Sequence, residues 1–218
     1  MLPPQGAVVP TPNRPQKIEE FITQYEGGDC FYIRPVTVTA NAAQIEGYGS
    51  SVSPFQALDS AFKRSNGFEA DIGVRQVTGA QCPAVTFLNR QRYENARAPR
   101  LNLSATSVHS GEILRGDLST ETGRHVDLIL VTDEGAVHNV SALLKPAANG
   151  SNFSMGLQRA GAPGARPQLL LAFASPKPLA TLKDARGLPA TDLFGRLMNE
   201  IAQGDQAVAV AARYFKLE

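Results

Sequence analysis

"AQIEGYGSSVSPFQALDSAFKRSNGFEADIGVRQV", residues 43–77, decides how this chain folds. It opens on a short β-prone stretch that ends in glycines. Ser53 and Pro54 then read as a helix N-cap and the first helical residue. Phe55, Leu58, Ala61 and Phe62 recur at helical spacing, and Gly67 is a C-terminal stop. Ile72, Val74 and Val77 alternate imperfectly with polar neighbours, the pattern of a half-buried strand.

Working outward, "KIEEFITQYEGG" (17–28) places Ile18, Phe21, Ile22 and Tyr25 on one helical stripe, halted by Gly27-Gly28. "CFYIRPVTVTA" (30–40) is β-branched and aromatic, and Pro35 marks an edge or a bulge within it. The order is α-β-β-α-β, with helices expected on one face of a small sheet. From residue 100 the character changes. "LNLSATSVHSGEILRGDLSTETGRHVDLILVTDEGAVHNV" (101–140) is a run of short strands cut by turn signals, including Arg115-Gly116-Asp117. Its clearest hairpin turns at Asp133-Glu134-Gly135. "NFSMGLQ" (152–158) and "PQLLLAFAS" (167–175) add strands. A late helix, 191–204, aligns Leu193, Phe194, Leu197, Met198 and Ile201, and "VAVAARYFKLE" (208–218) closes as a strand.

The expected fold class is therefore α+β: a small α-β-β-α-β module followed by a β-sandwich with a C-terminal helix. The expected boundaries are a proline-rich linker at 1–16, the module at 17–90, a linker at 91–99 and the sandwich at 100–218. A proline-rich start suggests a region of a longer chain. It lacks the basic and apolar segments of a signal peptide. No stretch reaches the roughly 18 apolar residues of a membrane helix.

Charge narrows the partners. The chain has 21 basic and 20 acidic side chains, and no Trp. That leaves no field to steer a polyanionic nucleic acid and little stacking surface for bases, so nucleic acid is not an expected partner. "NRQRYENARAPR" (89–100) carries Arg90, Arg92, Arg97 and Arg100; it reads as a solvated linker, with contact to anionic lipid or polymer as the alternative.

The two cysteines, Cys30 and Cys82, are 52 positions apart, which is not the C-x-x-C of a redox pair. No His lies in their half of the chain to activate a thiolate, and four zinc ligands at close spacing are missing. Cys30 opens the first strand and Cys82 follows the last strand of the module. A disulfide between them is the expectation, with inert buried thiols as the alternative. A bond would place the domain outside the cytoplasm. His109, His125 and His138 lie in the other half without a recognisable catalytic or metal motif. "GYGSS" is glycine-rich before a helix but lacks the Lys-Ser/Thr of a phosphate loop. No catalytic, cofactor-binding or metal-binding residue is expected.

Residues 43–77 resemble the core of a BON domain, through Ile45, Gly47, Ala61, Gly67 and Phe68. That resemblance implies a binding module associated with membranes, envelope polymers or secretion rings. The second half resembles a domain found at the C-terminus of bacterial envelope-linked protein kinases, caspase-like peptidases and repeat proteins. The likeness rests on "SGEILRGDLSTETGRHVDLILVTDEGAVHNV" and "GARPQLLLAFASPKPL", with Gly116-Asp117, Asp133-Gly135 and Ala172 to Ser175 at the family's positions. "NVSALLKPAANG" replaces that family's Phe-Pro-Asn after the hairpin. Together the halves look like the tail of an alphaproteobacterial multidomain protein. The functional expectation is a non-catalytic binding or sensory region on the periplasmic side of the envelope. Its expected partner is a protein, an envelope polymer or a lipid, with a kinase or peptidase domain upstream. Two alternatives remain: a hydrolase using His109 or His125 with Asp127 or Asp133, and a structural assembly module.

Overall fold

The computed structural model describes residues 13–159, 164–204 and 206–218; most of the expected N-terminal linker lies outside them. Helix α1 (Arg14–Gln24) starts earlier than the sequence suggests, because Asn13 and Gln16 cap each other's backbone N–H groups in a capping box. There follow β1 (Phe31–Val38), β2 (Ala43–Gly49), α2 (Ser53–Asn66) and β3 (Asp71–Gln76), the expected α-β-β-α-β order. The sheet runs β1-β2-β3, antiparallel then parallel. Strand β1 is an edge strand with a register shift between Pro35 and Thr37, so both readings of Pro35 hold.

Strand alternation gives this sheet two different faces. Phe31, Ile33, Ala43 and Ile45 pack against Ile18 and Ile22 of α1 and Phe55, Leu58 and Phe62 of α2. Phe55 lies where a Cβ at Gly47 would project, so the glycines of "GYGSS" make room for its ring. The N-cap of α2 is Val52 rather than Ser53, without a side-chain cap bond. Tyr32 and Tyr48 point the other way, into a different core.

That second core begins with α3 (Cys82–Arg90), a helix the sequence reading lacked. Pro83 sits in its first turn, and Ala84, Val85, Phe87 and Leu88 are all buried. Thr86, Asn89 and Arg90 recur at helical spacing on its less buried side, but two and a half turns are too few for that period to stand out in the sequence.

The remaining elements are β4 (Arg100–Leu103), β5 (Ser107–Val108), β6 (Ile113–Ser119), β7 (His125–Val131), β8 (Ala136–Asn139), β9 (Lys145–Ala147), β10 (Gly150–Gly156), β11 (Arg166–Ser175), α4 (Ala180–Lys183), β12 (Arg186–Pro189), α5 (Ala190–Gly204) and β13 (Ala209–Leu217). They form a four-stranded sheet, β4-β6-β10-β9, facing a six-stranded one, β12-β8-β7-β11-β13-β5. Leu101, Leu114, Leu118, Phe153 and Met155 of the first interleave with Leu128, Leu130, Leu170, Ala172 and Phe215 of the second. Arg115-Gly116-Asp117, read from sequence as a turn, lies inside β6. The hairpin at Asp133–Gly135 is as expected.

The outer face of the six-stranded sheet is buried too. Ile129, Val131, Leu171, Phe173, Val210 and Ala212 pack with Leu193, Phe194 and Leu197 of α5, with α3, and with Tyr32 and Tyr48. One apolar core therefore spans both parts of the chain. Phe87 sits between Phe173 and Phe194, with ring centroids 5.9 and 5.2 Å away. Polar contacts fix the register. Thr78 Oγ1 donates to Asp133 O at 2.6 Å, and the fully buried Gln81 donates to Val131 O and Pro167 O. Gly135, at φ +78°, lies so close that a Cβ would stand 2.6 Å from Ala80 O. The stretch expected as a linker, 91–99, holds a 3-10 turn at Arg92–Arg97 whose Arg92 is tied to α1.

Candidate functional site

Where the polar face of the three-stranded sheet meets β13, the molecule has a cleft of about 510 Å³, within the usual size range of ligand sites. One wall is Tyr32, Ile33, Arg34 and Pro35 of the edge strand β1; the other is Val210, Ala211, Ala212 and Arg213 of β13. Four consecutive residues from each strand mean that backbone edges, not sheet faces, line the space. Glu19 and Thr23 of α1, with Tyr93, Ala98, Pro99 and Arg100, complete the lining.

Four arginines reach this cleft (Arg34, Arg92, Arg100 and Arg213), against one acid in its lining, Glu19. Their states differ. Arg34 donates twice to Glu46 Oε2, at 2.9 and 2.6 Å, and Arg75 donates to Glu46 Oε1 at 3.1 Å. The single proton of the Tyr48 hydroxyl has two acceptors in reach, Glu46 Oε2 at 3.1 Å and Ala212 O at 3.3 Å. Burial alone would raise the pKa of Glu46. The Arg34 charge and the hydrogen bonds from Arg34, Arg75 and Tyr48 outweigh it, so the carboxyl titrates below its ordinary range. Burial, and next the neighbouring Glu46, push the Tyr48 phenol up.

Arg92 bridges one end of the cleft. It donates to Thr23 O and Asn89 O, pairs with Glu26 at 3.2 Å and lies 4.6 Å from the Tyr93 ring centroid. Arg213 is different: it donates to Ala212 O but has no carboxylate partner among the described residues. Burial, and then the like charge of Arg34, lower its pKa. A half-buried guanidinium beside another guanidinium is costly to keep without an anion. Arg100 is exposed and likewise without a carboxylate partner among the described residues.

The residues singled out from sequence lie elsewhere, apart from two arginines. Cys30 and Cys82 are joined by a disulfide with Cα atoms 4.8 Å apart, tying the start of β1 to the first turn of α3. Cys30 is the one non-glycine residue at positive φ among those described. Of the arginines at 89–100, Arg92 and Arg100 reach the cleft, whereas Arg90 donates to Met198 Sδ at the disulfide's side of the molecule. His109, largely exposed, is 3.8 Å from Glu218. His138 lies in β8. His125 Nε2 is 3.2 Å from the buried Asp127 Oδ2, and Ser141 Oγ is 3.4 Å from Asp127 Oδ1. The carboxylate stands between the other two, so the imidazole does not face the hydroxyl as a general base would. Asp133 is held by Arg166 and Gln168. Among the described residues no group of three or more His, Cys, Asp and Glu is arranged to hold a metal ion, and no helix is long and apolar enough to cross a membrane.

Sequence reasoning missed Arg34, Glu46 and Arg213. A signal existed: Arg34 interrupts the apolar run "CFYIRPV", and Arg213 interrupts "VAVAARYF". A lone Arg inside a strand with apolar neighbours needs either a partner or a ligand. Comparison with family models, with curated proteins and with solved structures found no match for this chain.

Proposed function

We propose that this chain is a non-catalytic binding or sensory region of a larger bacterial envelope protein, and that its arginine-lined cleft recognises an anionic partner. The observation that carries the reading is the cleft's charge: four arginines against Glu19, with no carboxylate partner for Arg100 and Arg213 among the described residues. The Cys30–Cys82 disulfide supports an extracytoplasmic, periplasmic setting, where such bonds persist. The α-β-β-α-β order agrees with the BON resemblance and so with a binding module on the envelope side. A kinase or peptidase domain upstream would make the cleft its sensory input.

Fluorescence anisotropy with fluorescein-labelled hexaglutamate tests the reading. The peptide should bind, hexalysine should not, and salt should weaken the complex. Arg100→Gln/Arg213→Gln should weaken it roughly tenfold or more, since hydrogen bonds to charged groups contribute about 1.5–3 kcal/mol each. If neither hexaglutamate nor inorganic pyrophosphate binds, or if the double variant binds them as well as the parent, the reading is wrong.

A further inference from the structure

A second recess, of about 430 Å³, opens at the disulfide, and both Cys30 and Cys82 line it. Its lining joins the buried rings of Phe87 and Phe194 to the exposed Thr191 and Gly195. The bond is therefore not sealed inside the core. Cys30 is 9% exposed, and Cys82 is only partly buried.

Gly195 keeps that recess open. It stands inside α5, where glycine weakens a helix relative to alanine. Its φ is not in the left-handed region, and a Cβ built on it meets nothing within 4 Å. Neither backbone conformation nor close packing calls for glycine there, so what its missing side chain provides is space. Thr191, one helical turn earlier, lines the same space. The two charged residues of the lining, Asp29 and Arg90, are opposite in sign, so an approaching thiolate meets no net repulsion.

The backbone at Cys30 adds a second, independent observation. Its φ of +50° lies in the left-handed region, where a Cβ makes the conformation costly. Two restraints hold it there: the buried Phe31 that follows it in the chain, and the bond to Cys82. Opening the bond removes one of them. Disulfides that are exposed, or joined to a strained backbone, are the ones that exchange, whereas enclosed and relaxed ones resist reduction. A bond that served only as a staple would have no use for an open recess beside it.

We propose that Cys30–Cys82 is a thiol–disulfide exchange site for a dithiol that enters the recess past Gly195. The entering thiolate attacks Sγ of Cys82, the less buried of the pair. A mixed disulfide forms, the Cys30–Cys82 bond breaks, and Cys30 leaves as a thiolate. The second thiolate of the dithiol then attacks its own sulfur in the mixed disulfide and expels Cys82. The dithiol departs as a disulfide, oxidised by two electrons. The chain gains those two electrons, and the two protons that the dithiol gives up end on Cys30 and Cys82. Helix α3 is held throughout by the burial of Ala84, Val85, Phe87 and Leu88, so exchange needs no unfolding. The inference is independent of the anion-binding reading.

The test follows reduction of the full chain by acid quench, alkylation and mass spectrometry. Dithiothreitol serves as a small dithiol and reduced thioredoxin as a protein one. Reduction should proceed with native circular dichroism retained, at least tenfold faster than global unfolding under the same conditions. Urea below the unfolding transition should leave that rate unchanged. Gly195→Leu fills the recess without touching the bond and should slow reduction at least tenfold without lowering Tm. Should that variant unfold, the urea dependence of the parent chain still decides. In the folded single variants, Cys82 of Cys30→Ser should alkylate at least tenfold faster than Cys30 of Cys82→Ser. Reduction only at the unfolding rate, or a folded Gly195→Leu chain reduced as fast as the parent, overturns the proposal. Faster alkylation of Cys30 than of Cys82 overturns the direction of attack. A faster reaction per thiolate with thioredoxin assigns the site to a protein dithiol, and the reverse order assigns it to a small one.

Discussion

The two faces of the three-stranded sheet solve the same burial problem in opposite ways. One face is covered by α1 and α2, and its contacts are aromatic and aliphatic, with Phe31 and Phe55 4.8 Å apart at their ring centroids. The other carries Tyr32, Arg34, Glu46, Tyr48 and Arg75 against β13 and α3. The apolar face supplies stability without choosing a ligand. On the polar face every charge must be answered by another charge, and at Arg213 the answer is missing from the described residues. If the proposed function holds, the contrast puts stability on one side of the sheet and recognition on the other.

The largest expected effect separates those roles. Phe62→Ala on the apolar face removes a fully buried ring and should cost about 4 kcal/mol in urea denaturation. Hexaglutamate affinity of the folded fraction should not change. A loss of affinity at constant fold would mean that the apolar face shapes the cleft.

Next in size is the disulfide. Replacing Cys30 and Cys82 together by Ser should cost up to about 4 kcal/mol, from the freedom returned to a loop of 52 residues in the unfolded chain. Because α3 belongs to the core shared by both parts, melting should remain a single transition. Two separate calorimetric transitions would show that the parts of the chain unfold independently.

On the polar face, Glu46→Gln should cost about 2 kcal/mol, because Arg34 and Arg75 lose their common carboxylate. The pH dependence follows. The folded-state pKa of Glu46 lies below the ordinary 4.5, so its contribution is complete above that value and is lost as pH falls through the lowered folded pKa. Glu46→Gln should flatten that acid limb in denaturation measured from pH 6 to pH 2. An unchanged limb would locate the acid sensitivity elsewhere.

The smallest effect concerns residues 91–99. The sequence marks this stretch as a polar linker, yet Arg92 holds it to Thr23 and Glu26. Limited proteolysis should cut there slowly. Arg92→Ala should speed cleavage severalfold with a stability cost of about 1 kcal/mol. Rapid cleavage of the parent chain into two stable pieces would restore the linker reading.

Much of the fold was legible from local pattern. Helical stripes ended by glycine marked α1 and α2, and the apolar runs of β7, β11 and β13 were unmistakable. Helix α3 was not, because two and a half turns are too short for its helical period to stand out. Arg115-Gly116-Asp117 misled because its composition is that of a turn, whereas β4 and β10 on either side hold it as strand. The cysteine pair could be argued from chain order. The cleft could not, since it depends on Arg34 and Arg213 meeting across a sequence separation that no local rule spans.

The most direct test of the central claim is an amide-resolved NMR titration with hexaglutamate. The account predicts saturable shifts confined to the backbone amides of Arg34, Arg92, Arg100 and residues 210–213, abolished by Arg213→Gln together with Arg100→Gln. Shifts centred on His125 and Asp127, or on the outer face of the four-stranded sheet, would contradict it. So would the absence of any shift at Val210 and Ala212.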